Sequence, residues 1–357
     1  MAALTTAQLA NVANAALDYY IDRGTIYSQS IQDKPLLAAM DKSAKTFPGG
    51  KGNVDLAVKG DYGVSGTAHV MGYTATDSVT YVNPINIKRV NYTWREHHTG
   101  ISVTHTELKH DGISVTDSSE SRSTSNHSNR ATTMLANLLE DKLEDMMEGY
   151  ARGMNSLLYG DGSGEADALA GIRSIILDNS GASGTSVGNL SCADNTWWRN
   201  RFNVAISTTA TGQELTDLIH TELRQLRRFG GRPNLALAGS AFLDQLATEL
   251  KNKGNYTQTG WNNKSATDIG VADVHYGGLT FQYDPSLDDL TISGKDPSKR
   301  CYIIDTSKLK LHYMEGEKMK RHSPARPHDS YVMYRAITTT AVLCANQLNC
   351  HGVYEIA

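Results

Sequence analysis

Only four of the 357 residues are cysteine (Cys192, Cys301, Cys344 and Cys350). They are scattered, and no two form the C-x-x-C spacing of a redox or zinc motif, so the expectation is reduced, structural thiols in a cytoplasmic product. The first residues, MAALTTAQLANVANAALDYY, contain neither a basic n-region nor an apolar h-region, so no signal peptide is expected. No run approaches 18 consecutive apolar residues, so no membrane-spanning helix is expected. A strong positive charge is also missing: 34 Lys and Arg against 38 Asp and Glu leave a formal charge of -4, the wrong sign for a dedicated nucleic-acid binder. There is no internal repeat. The remaining composition is that of a soluble globular protein, rich in Gly, Ser, Thr and Asn. It is long enough for two domains, or for one domain with large extensions.

The chain is organised around a stretch from Ser121 to Tyr159. Leu135, Leu139, Leu143, Met146, Tyr150, Met154 and Leu157 recur at steps of four and three, the stripe that a 3.6-residue period puts on one face. A second row of Leu138, Met147 and Leu158 widens it, and Glu140, Asp141, Lys142, Glu144, Asp145, Glu148 and Arg152 keep the opposite face in water. Gly160, Gly162 and Gly164 form the stop. One helix of roughly 55 Å is predicted, against a usual 11–12 residues.

Residues 4–22 read as a short amphipathic arm helix and Pro35–Met40 as a docking helix, followed by a break at Phe47–Gly52. From Asn53 the period switches to two. Val54, Leu56 and Val58 alternate with polar residues, and the pattern returns at Val90, Tyr92 and Trp94, then at Ile101 and Val103. The predicted form is a long two-stranded ribbon around a polar tip, Gly60 to Asn83. An isolated ribbon is marginal in water, so a partner subunit is inferred to cover it. A polar lead-in, 111–128, precedes the long helix. Further on, a strand is predicted at Leu169–Leu177, helices at Gln213–Phe229 and after the N-cap Ser240, and strands at Leu235–Ala238, Val271–Tyr276, Leu279–Tyr283, Tyr302–Asp305, Leu309–Tyr313, Tyr331–Val342 and Gly352–Ile356. Strands before, between and after helices make an α+β pattern.

Candidate sites are weak. Gly184-Thr185-Ser186-Val187-Gly188 matches the G-x-S-x-G of hydrolase elbows, which needs a strand before and a helix after. Polar loop flanks it here, so a serine hydrolase using Ser186 is the remote alternative and a loop the expectation. His105 and His110 are five apart, not the four a zinc-protease helix requires, and read as strand-end residues. His97 and His98 are adjacent on a strand and point to opposite faces. Arg224, Arg227, Arg228 and Arg232, and again Lys318, Lys320, Arg321 and Arg326, are clusters suited to solvated faces, subunit salt bridges or sequence-independent contact with nucleic acid. Trp197-Trp198 reads as a buried anchor. No catalytic, cofactor-binding or metal-ligating residue is expected, and the chain is not expected to be an enzyme.

The order of parts, with the phrases DKPLLAAM, LLYGDGSG, ALAGIRSII, NTWWRN and MYRAITTTAVLCANQLNCHGVYEI, resembles the major capsid protein of tailed bacteriophages, over nearly the whole chain. The resemblance implies the α+β Hong Kong 97-like capsid fold: N-arm at 1–48, extended β-ribbon loop and its base at 49–108, peripheral domain with spine helix at 109–164, axial domain at 165–300, and C-terminal strands at 301–357. It implies a structural protein self-assembling into the hexamers and pentamers of an icosahedral head enclosing double-stranded DNA. The ribbon would lie across a neighbouring subunit. Portal, a separate scaffolding protein and in some cases a decoration protein are the implied partners, with weak contact to packaged DNA and none to a membrane. The place is the virion, assembled in the host cytoplasm. An encapsulin-like compartment of the same fold is the alternative. Some members crosslink a loop lysine to a neighbour's asparagine. Lys59 is suitably placed, but a lysine near a strand end is common, and crosslinking is not expected.

Overall fold

Helices and strands interleave along the chain as α1 (Pro35–Lys42), β1 (Lys45–Phe47), β2 (Asn53–Lys59), β3 (Ile87–Thr93), β4 (Arg95–Thr104), α2 (His105–His110), α3 (Asn129–Tyr159), α4 (Ile172–Ile175), β5 (Ser186–Val187), β6 (Leu190–Ser191), β7 (Arg201–Ile206), α5 (Glu214–Arg227), β8 (Leu235–Ala238), α6 (Ser240–Asn252), β9 (Val274–Tyr276), β10 (Leu279–Tyr283), α7 (Pro285–Asp289), β11 (Arg300–Ile304), β12 (Leu309–Met314), β13 (Lys320–His322), β14 (Val332–Ala345) and β15 (Gly352–Ile356). The computed structural model describes residues 32–60, 72–78, 87–110, 129–165, 167–208, 213–252, 274–292, 294–322 and 332–357, with the backbone alone at 105, 108–109, 129–141, 143–144 and 333. The expected arm helix, most of the ribbon tip, the lead-in 111–128 and Arg326 lie outside the described residues.

The described chain divides into two units. The smaller draws on 97–153 and 316–339, the larger on 33–96, 154–315 and 340–357. The division falls inside β4, inside α3 and inside β14.

The larger unit is built on a six-stranded sheet in the order β7-β15-β11-β8-β10-β9. Every residue of β8, β11 and β15 is buried, the continuous apolar burial of strands covered on both faces. Helices α5 and α6 cover it, with Leu215, Ile219, Leu223 and Leu226 meeting Phe242, Leu246 and Leu250 over Ala236, Phe281 and Ile303. The buried residues of α5 follow the 3.6 period as expected, with one exception. Phe229 is 60% exposed, because the helix ends at Arg227 and Gly230 turns the chain at φ 82°. Strand β7, absent from the sequence prediction, is an edge strand whose residues are mostly half-exposed or exposed, so it lacks the apolar run that marks its neighbours.

A second sheet carries β1, β12 and β14 in the larger unit, with β1 parallel to β12 (Lys45↔His312) and β12 antiparallel to β14 (Leu309↔Ala345). In the smaller unit β14 pairs with β13 (Lys320↔Thr338).

Helix α3 has 31 described residues, about 46 Å at 1.5 Å per residue, so its described start is eight residues later than predicted. Met146, Met154, Leu158 and Tyr159 are buried, whereas Met147 of the predicted second row is 40% exposed. Met147 lies about 100° round the helix from Met146, which puts it off the buried face at this level. Leu135, Leu138, Leu139 and Leu143 have no described side chains. The stop is as predicted: the helix ends at Tyr159, and the Gly160 N–H donates to the Leu157 carbonyl at 3.0 Å.

Two further predictions are corrected. Leu169–Leu177 is no strand but the single helical turn α4, with Ile172 and Ile175 buried three apart; short apolar runs do not distinguish the two forms by period. The turn is pinned by Gly171, where a Cβ would stand 2.3 Å from the Leu158 carbonyl oxygen. His105 and His110 are not strand-end residues but the two ends of α2. Its start is a capping box: the Glu107 N–H donates to Thr104 Oγ1 at 3.2 Å, and Glu107 Oε2 accepts from the Thr104 N–H at 3.0 Å.

Candidate functional site

The ribbon is the first candidate. Strands β2 and β3 pair antiparallel over seven positions, from Asn53↔Thr93 to Lys59↔Ile87. Period-two alternation puts Val54, Leu56 and Val58 on one face with Val90 and Tyr92, and Asp55, Ala57, Lys59, Ile87 and Arg89 on the other. The first face is buried or half-buried and the second is mostly exposed, Ile87 by 64%. What covers the apolar face here is the chain itself, which corrects the expectation of a partner subunit for these residues. The tight hairpin β5–β6 lies beneath: the Gly188 carbonyl accepts from the Asn91 N–H at 2.9 Å. A Cβ on Gly188 would reach Val90 Cβ at 3.0 Å. Tyr92 Oη donates to the Ala345 carbonyl at 3.2 Å, and Gly60 leaves room for the Trp197 ring.

The same hairpin disposes of the hydrolase motif. Gly188 and Asn189 have φ of 60° and 61°, a left-handed pair that closes a two-residue hairpin turn. Ser186 opens a two-residue strand and no helix follows it, so the strand–turn–helix of a nucleophile elbow is missing and the Ser186 reading fails on geometry. Trp198 is the buried anchor foreseen, 1% exposed, with Nε1 donating to the Val187 carbonyl at 3.1 Å. Trp197 is only half-buried and meets it edge-on at 5.8 Å. His97 is half-buried and His98 exposed on β4. No three His, Cys, Asp or Glu among the described residues gather as a metal site.

Sequence reasoning missed the buried polar nodes that fix the larger unit. At the first, Tyr159 Oη donates to Asp284 Oδ2 at 2.8 Å, Asn155 Nδ2 donates to Ser286 Oγ at 2.7 Å and Asn155 Oδ1 accepts from the Leu37 N–H at 3.0 Å. Asp284 also caps α7 through the Ser286 N–H at 2.9 Å. Burial, reinforced by the Asp284 carboxylate, pushes the Tyr159 hydroxyl well above the usual range. Asp284-Pro285-Ser286 is a legible N-cap with proline at N1. Its long-range partners are not legible.

At the second, Arg300 is fully buried, with Nη2 2.8 Å from Asp178 Oδ2 and 2.8 Å from Glu355 Oε2; Lys295 Nζ lies 2.6 Å from the same Asp178 oxygen. Burial opposes both charges, but the hydrogen bonds to Arg300 and Lys295 hold the Asp178 carboxyl below its usual range. Such a network fixes geometry more than it adds net stability. At the third, Glu249 of α6 accepts the Leu215 and Thr216 N–H groups at 3.3 and 2.9 Å. It caps α5 from another helix, where the local residue Gln213 makes no side-chain cap.

All three nodes lie in the larger unit and tie its helices and strands together through buried polar groups. Over residues 23–356 the sequence matches the family model described as SU10 major capsid protein. The chain belongs to the SU10 major capsid protein family. The fold of this capsid protein is also that of solved phage particles. The cyanophage A-1(L) capsid asymmetric unit matches with a TM-score of 0.63 at 14% identity, covering 94% of this chain and 96% of that one. The capsid of cyanophage P-SCSP1u gives 0.55 at 8%, covering 94% and 91%, and Gordonia phage Cozz 0.51 at 13%, covering 93% and 89%. At such identities the likeness carries the fold alone, the α+β Hong Kong 97-like capsid fold. No curated protein sequence matches the chain. The protein is a structural major capsid protein of the virion.

Proposed function

We propose that this capsid protein closes on copies of itself as the hexamers and pentamers of an icosahedral head that encloses double-stranded DNA. It works with a portal, a separate scaffolding protein and, on some shells, a decoration protein. The observation that carries this reading is the match to a phage major capsid family from residue 23 to residue 356; it also favours a genome-filled head over a cargo compartment of the same fold. Residues 1–48 serve as the arm, 49–108 as the ribbon loop and its base, 109–164 as the peripheral domain with its spine, 165–300 as the axial domain and 301–357 as the strands that complete both. The exposed face of the ribbon, with Ile87 and Arg89, is the part that meets a neighbour. The role is mechanical: the chain performs no catalysis and carries no cofactor. Contact with packaged DNA is sequence-independent, through exposed cations such as Lys320 and Arg321. Assembly takes place in the cytoplasm of the bacterial host.

Co-expression with its scaffold tests this. The expected product is particles of megadalton mass by light scattering, with closed shells in negative-stain micrographs and nuclease-protected DNA in heads taken from infected cells. A chain that stays monomeric at every concentration, scaffold present, would overturn the reading.

A further inference from the structure

We propose that His351 is an acid-sensitive latch on the junction between the six-stranded sheet and the second sheet. Protonating it opens the junction locally and uncovers Cys350, while both sheets keep their ladders.

The chain passes directly between these sheets twice, and both crossings lie in the larger unit. One leaves β11 at Ile304 and enters β12 at Leu309; the other leaves β14 at Ala345 and enters β15 at Gly352. They run side by side in opposite directions, because β11 is antiparallel to β15 and β12 to β14. The backbone ladder stops at Ile303↔Gly352 on one side and resumes at Leu309↔Ala345 on the other. Within this gap the Asn346 N–H donates to the Lys308 carbonyl at 3.0 Å, next to the second sheet. Next to the six-stranded sheet the Asp305 N–H donates to His351 Nδ1 at 3.2 Å. That rung has an imidazole nitrogen where a regular ladder has a carbonyl. A carbonyl gains no proton at any working pH. An imidazole does, and once Nδ1 carries a proton it meets the Asp305 N–H donor to donor, and the bond is lost.

The surroundings hold the ring neutral. With Nδ1 accepting, its proton sits on Nε2, 3.5 Å from Cys350 Sγ, and the Cys350 thiol donates to the Gln347 carbonyl at 3.4 Å. His351, Cys350 and Asp305 are at most 1% exposed, so an imidazolium formed in place would be stripped of water. The Asp305 carboxylate is the charge that favours one, but it already accepts the Arg232 N–H at 2.8 Å and the Ser307 N–H and Oγ at 2.9 and 2.6 Å. The other charged groups nearby are cations: Lys308 on the same crossing, Arg232 beyond α5, and Arg201 at the start of β7. The Arg201 N–H donates to the His351 carbonyl at 2.9 Å, and its guanidinium is held by Glu222 at 2.6 Å. Burial outweighs the Asp305 field and depresses the imidazole to about 4, and it pushes the Cys350 thiol up to about 12.

A charged ring therefore favours a conformation in which it reaches water. Local opening supplies one at less than the cost of global unfolding, since the ladders on either side of the gap are untouched. Cys350 is covered by the turn after α5, where a Cβ on Gly231 would stand 2.5 Å from Cys350 Cβ. Displacing the 346–351 crossing lifts the thiol away from that turn.

Thiol labelling of the unassembled full-length subunit tests this. A dipyridyl disulfide that reacts at both pH 7 and pH 5 is applied at each. The four buried cysteines are followed separately by peptide mapping, with the denatured chain at the same pH as reference. The open form binds more protons below pH 6.5, so the closed form loses ground as the pH falls. For a ring titrating at 6.5 when open and about 4 when closed, protection of Cys350 is expected to drop about 20-fold from pH 7 to pH 5. Cys192, Cys301 and Cys344 should keep theirs. His351→Asn, whose side-chain oxygen still accepts the Asp305 N–H, should abolish the response, and His312→Asn should preserve it. If His351→Asn does not fold, the comparison of the four cysteines in wild type still decides. Loss of protection at all four together would mean global unfolding and would overturn the inference. So would unchanged protection of Cys350, a response that survives His351→Asn, or one that disappears with His312→Asn. The latch belongs to the subunit itself, so its failure would leave the capsid function standing.

Discussion

Acidification is expected to destabilise the subunit well above the pH at which its carboxylates titrate, through one histidine. His351 is fully buried, and its Nδ1 accepts the Asp305 N–H at 3.2 Å. Burial pushes its pKa down from 6.5 to about 4, outweighing the opposing field of Asp305. The folded protein thus keeps this imidazole neutral between pH 6.5 and about 4, while the unfolded chain protonates it. The unfolded state binds more protons throughout that window, so stability falls as the pH falls. At about 1.36 kcal/mol per unit, the loss reaches about 3 kcal/mol by pH 4, a sizeable part of a typical 5–15 kcal/mol. Burial also lowers the pKa of His312, adding to the slope with the same sign. The depressed carboxylates Asp178 and Glu107 contribute stability that is present above their unfolded values of 3.8 and 4.5 and lost below them, so they enter mainly beneath this window. The assay is urea unfolding of the unassembled subunit, followed by tryptophan fluorescence at half-unit steps from pH 7 to 4.5. It is run in parallel on His351→Asn, whose side-chain oxygen can still accept the Asp305 N–H. The variant is expected to lose most of the slope, leaving the His312 share. An unchanged slope in the variant, or stability that rises on acidification, would refute the reasoning.

Gly149 and Gly153 lie on the exposed side of α3, where an added Cβ would meet nothing within 4 Å. Gly149→Ala with Gly153→Ala is therefore expected to stabilise the unassembled subunit by about 2 kcal/mol through helix propensity, raising its melting temperature by a few degrees; a lower one would show that this face is packed. Glu249→Ala removes the acceptor of two buried N–H groups at the start of α5 and is expected to cost about 2 kcal/mol or more in urea unfolding. Glu249→Gln, keeping one acceptor oxygen, should lose distinctly less. Tyr159→Phe strips a buried donor from Asp284 while the Ser286 N–H still donates to it, for an expected loss of about 1–3 kcal/mol, and no loss would mean that the carboxylate finds another donor.

The contrast between α5 and its cap shows where the sequence stops being informative. The helix was legible because its evidence is local: Leu215, Ile219, Leu223 and Leu226 repeat with the helical period, and Gly230-Gly231 ends them. What fixes its first turn is Glu249, more than thirty residues on, in a segment whose own pattern says only helix. Arg300 is similar. A lone arginine ahead of an apolar strand gives no hint that it will be buried whole against Asp178 and Glu355. Edge strand β7 and the single turn α4 were lost for the opposite reason, since one buries too little and the other is too short for any period to show. The capsid identity survived these misses because it rests on the order of large elements. A shell protein also has no catalytic motif to find. Its surface carries the same difficulty, because exposed charge has no period or spacing that names what it meets. In sequence the arginines were a charge cluster that a solvated face, a salt bridge or a phosphate would satisfy equally. The structure adds that Arg224, Arg227, Arg228 and Arg232 are all exposed, with the Arg228 guanidinium resting over the Phe229 ring, a packing that the spacing of the cluster does not encode.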